Sequence, residues 1–542
     1  MKGTIASHRN HGRLSLILAA LIIISFAYLY KLDRPLLWGD EADTGLFARN
    51  VLQFGYPIAY DGRNVPICSG ESQVSRNLLV EKYIPWVQHY LAAISLKSFG
   101  NNTRGLRFIF AIIGVISFFP IYHILRRRRV KFPIILTLMI LISPQVLFFQ
   151  RNARYYSVLI LLYGFLVWHI ASAFRKSKLR FLITSLYFIV FFHTHPFAAF
   201  CCSISLLILC TIYRKKAFLW YLASSAIGFF SWLIWFGLLG PTLGGGDPRL
   251  IVITHTKEWF SLFLSGLYAG VLDLDTVNCF PIIMWGILIS AFLLKGRRSE
   301  LNPIKDPVSA FILISLLVQV VVTAGCFGYE SPAKYALLRY MPHLITFAMI
   351  PLFIMLNSML KNKTPFILLC GFIILFNFLT LSFWIKPKHR NVPISWWPPV
   401  YSEIFQPPKN VWDIIIEIVK NEIPPNTDPN ETIAALPKWV REIPIFYLGD
   451  QYLIRPPIKK GSMAEMELRQ FIGDKAFSRF ERQPKWIFDI FSKIKRPLPG
   501  YKLLLIPSHR ARPDDGTRPE LTRHTFPQKE ITGYARIYQL ER

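Results

Sequence analysis

The sequence predicts an α-helical polytopic membrane protein, with about eleven transmembrane helices plus interfacial helices and a small C-terminal α/β soluble domain. Three observations predict it. Of 542 residues, 53% are hydrophobic, and the mean hydropathy is +0.36. The apolar residues fall into long runs rather than the short stretches of a soluble core. Basic residues gather at alternate ends of those runs, and beyond residue 385 a Pro-rich segment of mixed composition takes over.

The runs lie at 14–30, 105–125, 132–149, 156–173, 180–192, 197–213, 217–239, 277–294, 308–327, 341–359 and 364–385. Most are long enough to cross a hydrocarbon core of about 30 Å, allowing for tilt. Cytoplasmic loops retain Lys and Arg near helix ends, so the basic clusters set the orientation. Lys2, Arg9 and Arg13 precede the first run, Arg126 to Arg129 with Lys131 follow the second, and Arg175, Lys176, Lys178 and Arg180 follow the fourth. The alternation continues through Arg214, Lys215 and Lys216, then Lys295, Arg297 and Arg298, then Lys361 and Lys363. All six clusters agree on a cytoplasmic N-terminus and an external C-terminus.

One apolar stretch stays outside the count. Tyr83 to Leu96 is roughly 14 residues long and carries Pro85, Gln88 and His89, which suits an interfacial helix better than a span. Counting it as a span would invert every later segment and put five basic clusters outside. The first run is long and lacks a small-residue cleavage site after it, so it reads as a retained anchor.

The net charge of +30 raises nucleic acid as a partner. Many of the basic residues sit at helix ends, where they snorkel and set orientation, so no nucleic acid is expected and membrane lipids are. None of the seven cysteines lies in the C-terminal region, and no disulfide framework is expected there. Cys201, Cys202, Cys210 and Cys370 fall inside runs and read as small packing residues.

Two external regions are too long for simple connections: 31–104 and 386–542. The expected domains are therefore 1–385, a transmembrane domain with 31–104 as its first external loop, and 386–542, an extracytoplasmic α/β domain. The first loop opens with Trp38-Gly39-Asp40-Glu41-Ala42-Asp43, after which Phe47, Val51 and Phe54 recur at helical spacing. Asp40 is placed to cap that helix, Gly55 and Pro57 to stop it, and its apolar stripe to lie on the membrane. In the C-terminal region a helix is expected from Val411 to Ile423, and strands at Thr432–Leu436, Tyr501–Ile506 and Ala535–Leu540. There is no internal repeat and no pair of interrupted helices of the transporter kind.

Asp40, Glu41 and Asp43 place carboxylates just outside the first span, within reach of a head group at the membrane surface. The competing reading is a helix cap with two solvated acids. Glu81 and Lys82 precede the interfacial helix, where an ammonium can bind a lipid phosphate or simply snorkel. The next external turn holds Arg151, Arg154, Tyr155 and Tyr156, and a later one Lys334, Arg339 and Tyr340. Cations on the face that should be poor in them favour an anionic ligand. His193 and His195 lie near the same face, but an HxH pair on a helix points to two sides and makes a poor metal site.

In order and context these motifs resemble the GT-C class of membrane glycosyltransferases, in particular the bacterial relatives of aminoarabinose transferase and protein O-mannosyltransferase. The resemblance covers roughly residues 10–385. It rests on Trp38-Gly39-Asp40-Glu41-Ala42 at the start of the first external loop, and on Glu81-Lys82-Tyr83-Ile84-Pro85-Trp86 before the interfacial helix. It rests equally on Asn152-Ala153-Arg154-Tyr155-Tyr156 at the outer end of the third span, and on Arg339-Tyr340-Met341-Pro342 at the entry to a late one. Two departures bear on the acceptor: Asp43 replaces an Arg often found after the Asp-Glu, and Tyr156 an Asp often found after Ala-Arg-Tyr.

The resemblance implies an enzyme of the bacterial inner (plasma) membrane and cell envelope. It would transfer a sugar from a polyprenyl-phosphate-linked donor to an extracytoplasmic acceptor: a lipid, glycan or protein. Asp40 would be the catalytic carboxylate, and Lys82 would hold the donor phosphate with help from Arg154 or Arg339. Tyr155 and Tyr340 would support them. A sugar phosphate carries a good leaving group, so one base and a few cations suffice, and displacement inverts the anomeric carbon. Glu41 would orient Asp40 or join a divalent metal ion with Glu81; the sequence leaves open whether a metal is required.

Two alternatives compete. A lipid-linked polysaccharide ligase or polymerase would carry its key residues in a large loop between late spans, whereas the largest internal external loop here follows the first. An anionic-lipid transporter or flippase would carry charges in mid-span, where these spans have almost none.

Overall fold

The apolar runs fold as helices in a computed structural model, which describes residues 2–34, 36–65, 74–82, 86–172, 177–213, 215–240, 306–326, 340–359, 364, 411–422, 432–436, 442–450, 452–454, 461–489, 501–505 and 536–540. Among the described residues, four helical stretches are long and apolar enough to cross a membrane: Gly12–Leu29, Thr103–Arg127, Pro196–Tyr213 and Lys215–Leu238. Shorter apolar helices cover Pro133–Ile142, Tyr156–Ala171, Pro307–Thr323 and Pro342–Ser358. A helix meets its backbone hydrogen bonds internally, which is what a hydrocarbon solvent demands. The runs expected at 277–294 and 364–385 lie outside the described residues, Thr364 excepted.

In chain order the first helices are α1 (Lys2–Leu29), α2 (Gly39–Phe54), α3 (Val87–Phe99), α4 (Thr103–Ile116), α5 (Phe118–Arg127), α6 (Pro133–Ile142), α7 (Pro144–Gln150), α8 (Tyr156–Ala171), α9 (Lys178–Phe192), α10 (Pro196–Tyr213) and α11 (Phe218–Leu238). The chain divides into two compact units: Met1–Lys31, Phe110–Ser231 and Ile251–Ile404 form the first, and Leu32–Ile109, Trp232–Leu250 and Phe405–Arg542 the second.

In the first unit, two runs that read as continuous are broken, both at proline. The 105–125 run is interrupted at Ser117, whose N–H is shared between Ile113 O and Gly114 O, each at 3.1 Å. Pro120, three residues on, can offer no N–H to the carbonyl four residues before it. The 132–149 run splits into α6 and α7 because Pro144 forces Ser143 into an extended conformation, with ψ at 144°. Helices α9 and α11 approach closely at Gly228, where a Cβ would stand 2.7 Å from the Phe188 backbone. Leu14, Ile22, Leu182, Leu219 and Phe230 are exposed, as suits a surface facing lipid.

In the second unit α2 and α3 pair. Gln88 Nε2 donates to Thr44 Oγ1 at 3.1 Å, the His89 and Phe47 rings lie 5.1 Å apart, and the Tyr90 hydroxyl donates to Gly55 O at 2.7 Å. The polar residues that marked this stretch as no ordinary span are therefore buried against α2. Two expectations for α2 are corrected. The N-cap is Trp38, with no side-chain cap, and Asp40 sits inside the first turn, where a carboxylate still favours the positive end of the helix dipole. The stripe does not lie outward: Phe47 and Val51 are buried, Phe47 in a core with Ile58, Val74, Leu79, Leu453 and Phe480, and only Phe54 is exposed. The end of the helix is as expected, with Gly55 left-handed at φ +85° and its N–H on Val51 O.

The C-terminal part of this unit contains helices Val411–Glu422, Glu442–Leu448 and Met463–Ile472 and strands β1 (Thr432–Leu436), β2 (Leu453–Ile454), β3 (Trp486–Asp489), β4 (Tyr501–Leu505) and β5 (Arg536–Leu540). The sheet order is β2-β1-β3-β5-β4. β1 lies parallel to β2 and β3, with Ile433 opposite Trp486, while β5 runs antiparallel to β3 and β4. Strands β1, β4 and β5 fall on the expected runs. Sequence reasoning missed β2 and β3, which are two and four residues long and too short to show a period. Helix Glu442–Leu448 packs on α2 at Gly45, where a Cβ would lie 2.5 Å from the Phe446 ring, so only glycine allows the approach.

Candidate functional site

The residues singled out from the sequence divide between the two units. Asp40, Glu41, Glu81 and Lys82 belong to the second; Arg154, Tyr155 and Tyr340 belong to the first. Arg339, with Lys334, lies outside the described residues.

Asp40 is half-buried in the first turn of α2. Its backbone carbonyl accepts the Thr44 hydroxyl at 2.9 Å, and that hydroxyl in turn accepts from Gln88 of α3, so the turn carrying Asp40 is tied to its neighbour. Glu41, the next residue, is fully buried. Both its oxygens are taken by Arg107 of α4: Nε to Oε1 at 2.9 Å and Nη2 to Oε2 at 2.6 Å, with side-chain exposures of 3% and 0%. Such a fork fixes both planes. Arg107 also donates to Leu32 O at 3.1 Å and Leu36 O at 3.4 Å. Asp43, one of the two departures from the motifs of the resemblance, is fully buried.

Glu81 is buried in a short antiparallel bridge with Val74, its N–H on Pro57 O at 3.2 Å. Lys82 has its ammonium on Gly240 O at 2.5 Å and 4.0 Å from the Phe236 ring centroid.

The segment before α2 has a further anchor. Leu37 N–H donates to the Tyr447 hydroxyl at 2.9 Å, and that hydroxyl shares a hydrogen bond with Thr103 Oγ1 at 2.6 Å. Burial pushes the Tyr447 phenol up to about 12, against the opposing pull of its hydrogen bonds from Leu37 and with Thr103. Nearby, Asp61 accepts from the backbone N–H groups of Arg63 and Asn64, and burial raises its pKa.

In the first unit, Arg154 is buried and its guanidinium lies 5.5 Å from the Tyr155 ring. The Tyr155 and His195 rings are 4.4 Å apart, and His195 lies 5.8 Å from Tyr340, whose backbone carbonyl accepts Gln319 Nε2 at 2.6 Å. His195 Nδ1 accepts the Ala198 N–H at 3.0 Å, so this histidine caps α10. Arg151 donates to four carbonyls at the end of α1: Ala27 at 2.7 Å, Tyr28 and Tyr30 at 3.0 Å and Lys31 at 3.3 Å. Among the described residues no three His, Cys, Asp or Glu side chains converge as a metal site.

Sequence reasoning missed Arg107, Thr103 and Tyr447. An arginine inside an apolar run was the available signal for the first, since a buried charge must find a partner. Nothing local marks the other two.

No family model matches the sequence, and no curated protein does. Solved structures do match the fold. ArnT from Cupriavidus metallidurans, an aminoarabinose transferase, in its crystal structure bound to undecaprenyl phosphate, superposes with a TM-score of 0.54 at 10% identity, covering 97% of this chain and 98% of that one. The apo state of the same protein gives 0.54 at 11% identity, covering 89% and 93%. Archaeal oligosaccharyltransferase AglB from Archaeoglobus fulgidus, in complex with an inhibitory peptide and a dolichol-phosphate, gives 0.49 at 14% identity, covering 90% and 70%. The chain shares its fold with ArnT, a member of the class that its motifs resemble.

Proposed function

We propose that this protein transfers a sugar from a polyprenyl-phosphate-linked donor to an extracytoplasmic acceptor. The observation that carries the reading is the fold shared with ArnT over nearly the whole of both chains, with Asp40 half-buried in the first turn after the first membrane helix. That ArnT was crystallised with undecaprenyl phosphate supports a lipid phosphate as the leaving group here.

Asp40 takes the proton from an acceptor hydroxyl or amine as that atom attacks the anomeric carbon. The bond from that carbon to the phosphate oxygen breaks with its electron pair, which inverts the centre and releases polyprenyl phosphate. Lys82 receives the phosphate, giving up the Gly240 carbonyl as it does so. Glu41 acts through Arg107 and is a positioning residue. Arg154 and Arg339 are further candidate cations for the donor, with Glu81, Tyr155 and Tyr340 in support, and no step is routed through a metal. The finer topology goes with this reading: about eleven spans in the bacterial plasma membrane, a cytoplasmic N-terminus and residues 386–542 outside.

The test is release of free polyprenyl phosphate from a panel of lipid-linked sugars, comparing wild-type with Asp40→Asn membranes given envelope extract as acceptor. Removing a general base should lower release by about 10²- to 10⁴-fold. Release that ignores Asp40 with every donor would turn the assignment toward the ligase or the transporter.

A further inference from the structure

We infer that Arg107 and Tyr447 are positioning residues that hold the segment carrying Asp40, so that the C-terminal part of the chain supplies part of the frame of the proposed catalytic turn. The inference rests on Asp40 being the base.

Among the described residues between α1 and α2, 32–34 and 36–38 form no helix or strand, so their backbone groups must find partners elsewhere. Asp33 and Arg34 are exposed, but Leu32, Leu37 and Trp38 are buried. Two side chains supply partners. Arg107 takes the carbonyls of Leu32 and Leu36, and the Tyr447 hydroxyl takes the Leu37 N–H. Trp38 then contributes its carbonyl to the first turn of α2, accepting from Glu41 N–H at 3.0 Å and Ala42 N–H at 2.9 Å. Asp40 lies within that turn.

Arg107 also closes a ring. One guanidinium grips the incoming segment through two carbonyls and the first turn of α2 through both oxygens of Glu41, the residue next to Asp40. A planar fork with this many bonds transmits orientation, which a lysine ammonium cannot do. Tyr447 adds a second fixed point, itself oriented by Thr103 at the start of α4. Because burial keeps the Tyr447 proton in place well past neutral pH, the anchor is constant over the working range. These contacts converge on the segment that leads into Asp40, and a base misplaced by a fraction of an ångström loses rate without losing substrate.

The experiment uses the full-length protein in detergent. The donor is whichever undecaprenyl-phosphate-linked sugar of the panel shows Asp40-dependent release. Tyr447→Phe keeps the ring and removes the hydroxyl. Its kcat should fall about tenfold with the donor KM within about twofold of wild type, since one hydrogen bond and the register of the base are at stake. Amide exchange across residues 32–41 should quicken while β3 exchanges as before. A wild-type kcat, or wild-type exchange over 32–41, would overturn the inference. If Tyr447→Phe raises exchange throughout the C-terminal sheet, Arg107→Lys decides by the same two readouts, since it keeps a cation beside Glu41 but loses the fork. If the wild type shows no Asp40-dependent release, the proposed function falls, and the catalytic part of this inference with it. Faster exchange at 32–41 would then mark a structural anchor only.

Discussion

Arg151 in the first unit and Arg107 in the second are both held by carbonyls at the edge of a helical segment, yet the segments they hold differ. Arg151 meets four carbonyls at the end of α1, where C=O groups carry the negative end of the helix dipole. Arg107 meets the carbonyls of Leu32 and Leu36 on an irregular segment, together with both oxygens of Glu41. A helix end offers an aligned array of partial charges. An irregular segment has no such array, and beside this one a full ion pair is buried, which is most costly when half of it is removed.

That contrast ranks the expected effects. Arg107→Ala leaves Glu41 buried without its guanidinium and should cost about 3–5 kcal/mol. Thermal unfolding of the detergent-solubilised protein would show it, and adding Glu41→Gln should return a large part. If the double variant is no more stable than Arg107→Ala, the cost lies in the carbonyl contacts instead. Arg151→Gln should cost less, about 1–2 kcal/mol, because the freed carbonyls end a helix that stays otherwise intact. Faster amide exchange confined to residues 26–34 is its signature, and loss of the whole first unit would contradict it.

The smallest effect concerns Asp61. Burial raises its folded pKa above the unfolded value, with Asp450 acting in the same direction, so the folded state holds the proton more tightly. Stability therefore falls as pH rises from the ordinary aspartate value through the folded one, and is flat above it. Asp61→Asn retains an oxygen for the Arg63 and Asn64 N–H groups and removes the charge. It should abolish that slope while leaving stability at neutral pH unchanged or slightly higher, and a slope that survives the substitution would point to another carboxylate.

The parts of the candidate site that sequence reasoning proposed are those whose signal is short-range. Asp40 stands two residues after Trp38 at the start of an amphipathic helix, and Lys82 stands before a proline and a run of apolar residues; both are read within one turn. The opening of α2 was misjudged because Asp40 has the right residue type for a cap but Trp38 occupies the position, and the choice of N-cap depends on the path by which the chain enters. The burial of Phe47 was misjudged for a related reason. Helical spacing shows that a face is apolar, and whether lipid or protein covers it is decided by packing partners such as Leu453 and Phe480, some four hundred residues on.

The sequence by itself determined the helices of the described apolar runs and the small set of acids and cations from which a site could be built. Periodicity, hydropathy and turn chemistry act over a few residues, and lipid admits only backbones that satisfy themselves locally. The tertiary structure alone decided that Glu41 turns to Arg107, 66 residues away, and that Leu37 rests on Tyr447, 410 residues away. A hydrogen bond across such a distance in sequence depends on where the folded chain passes, and no pattern near either residue records that.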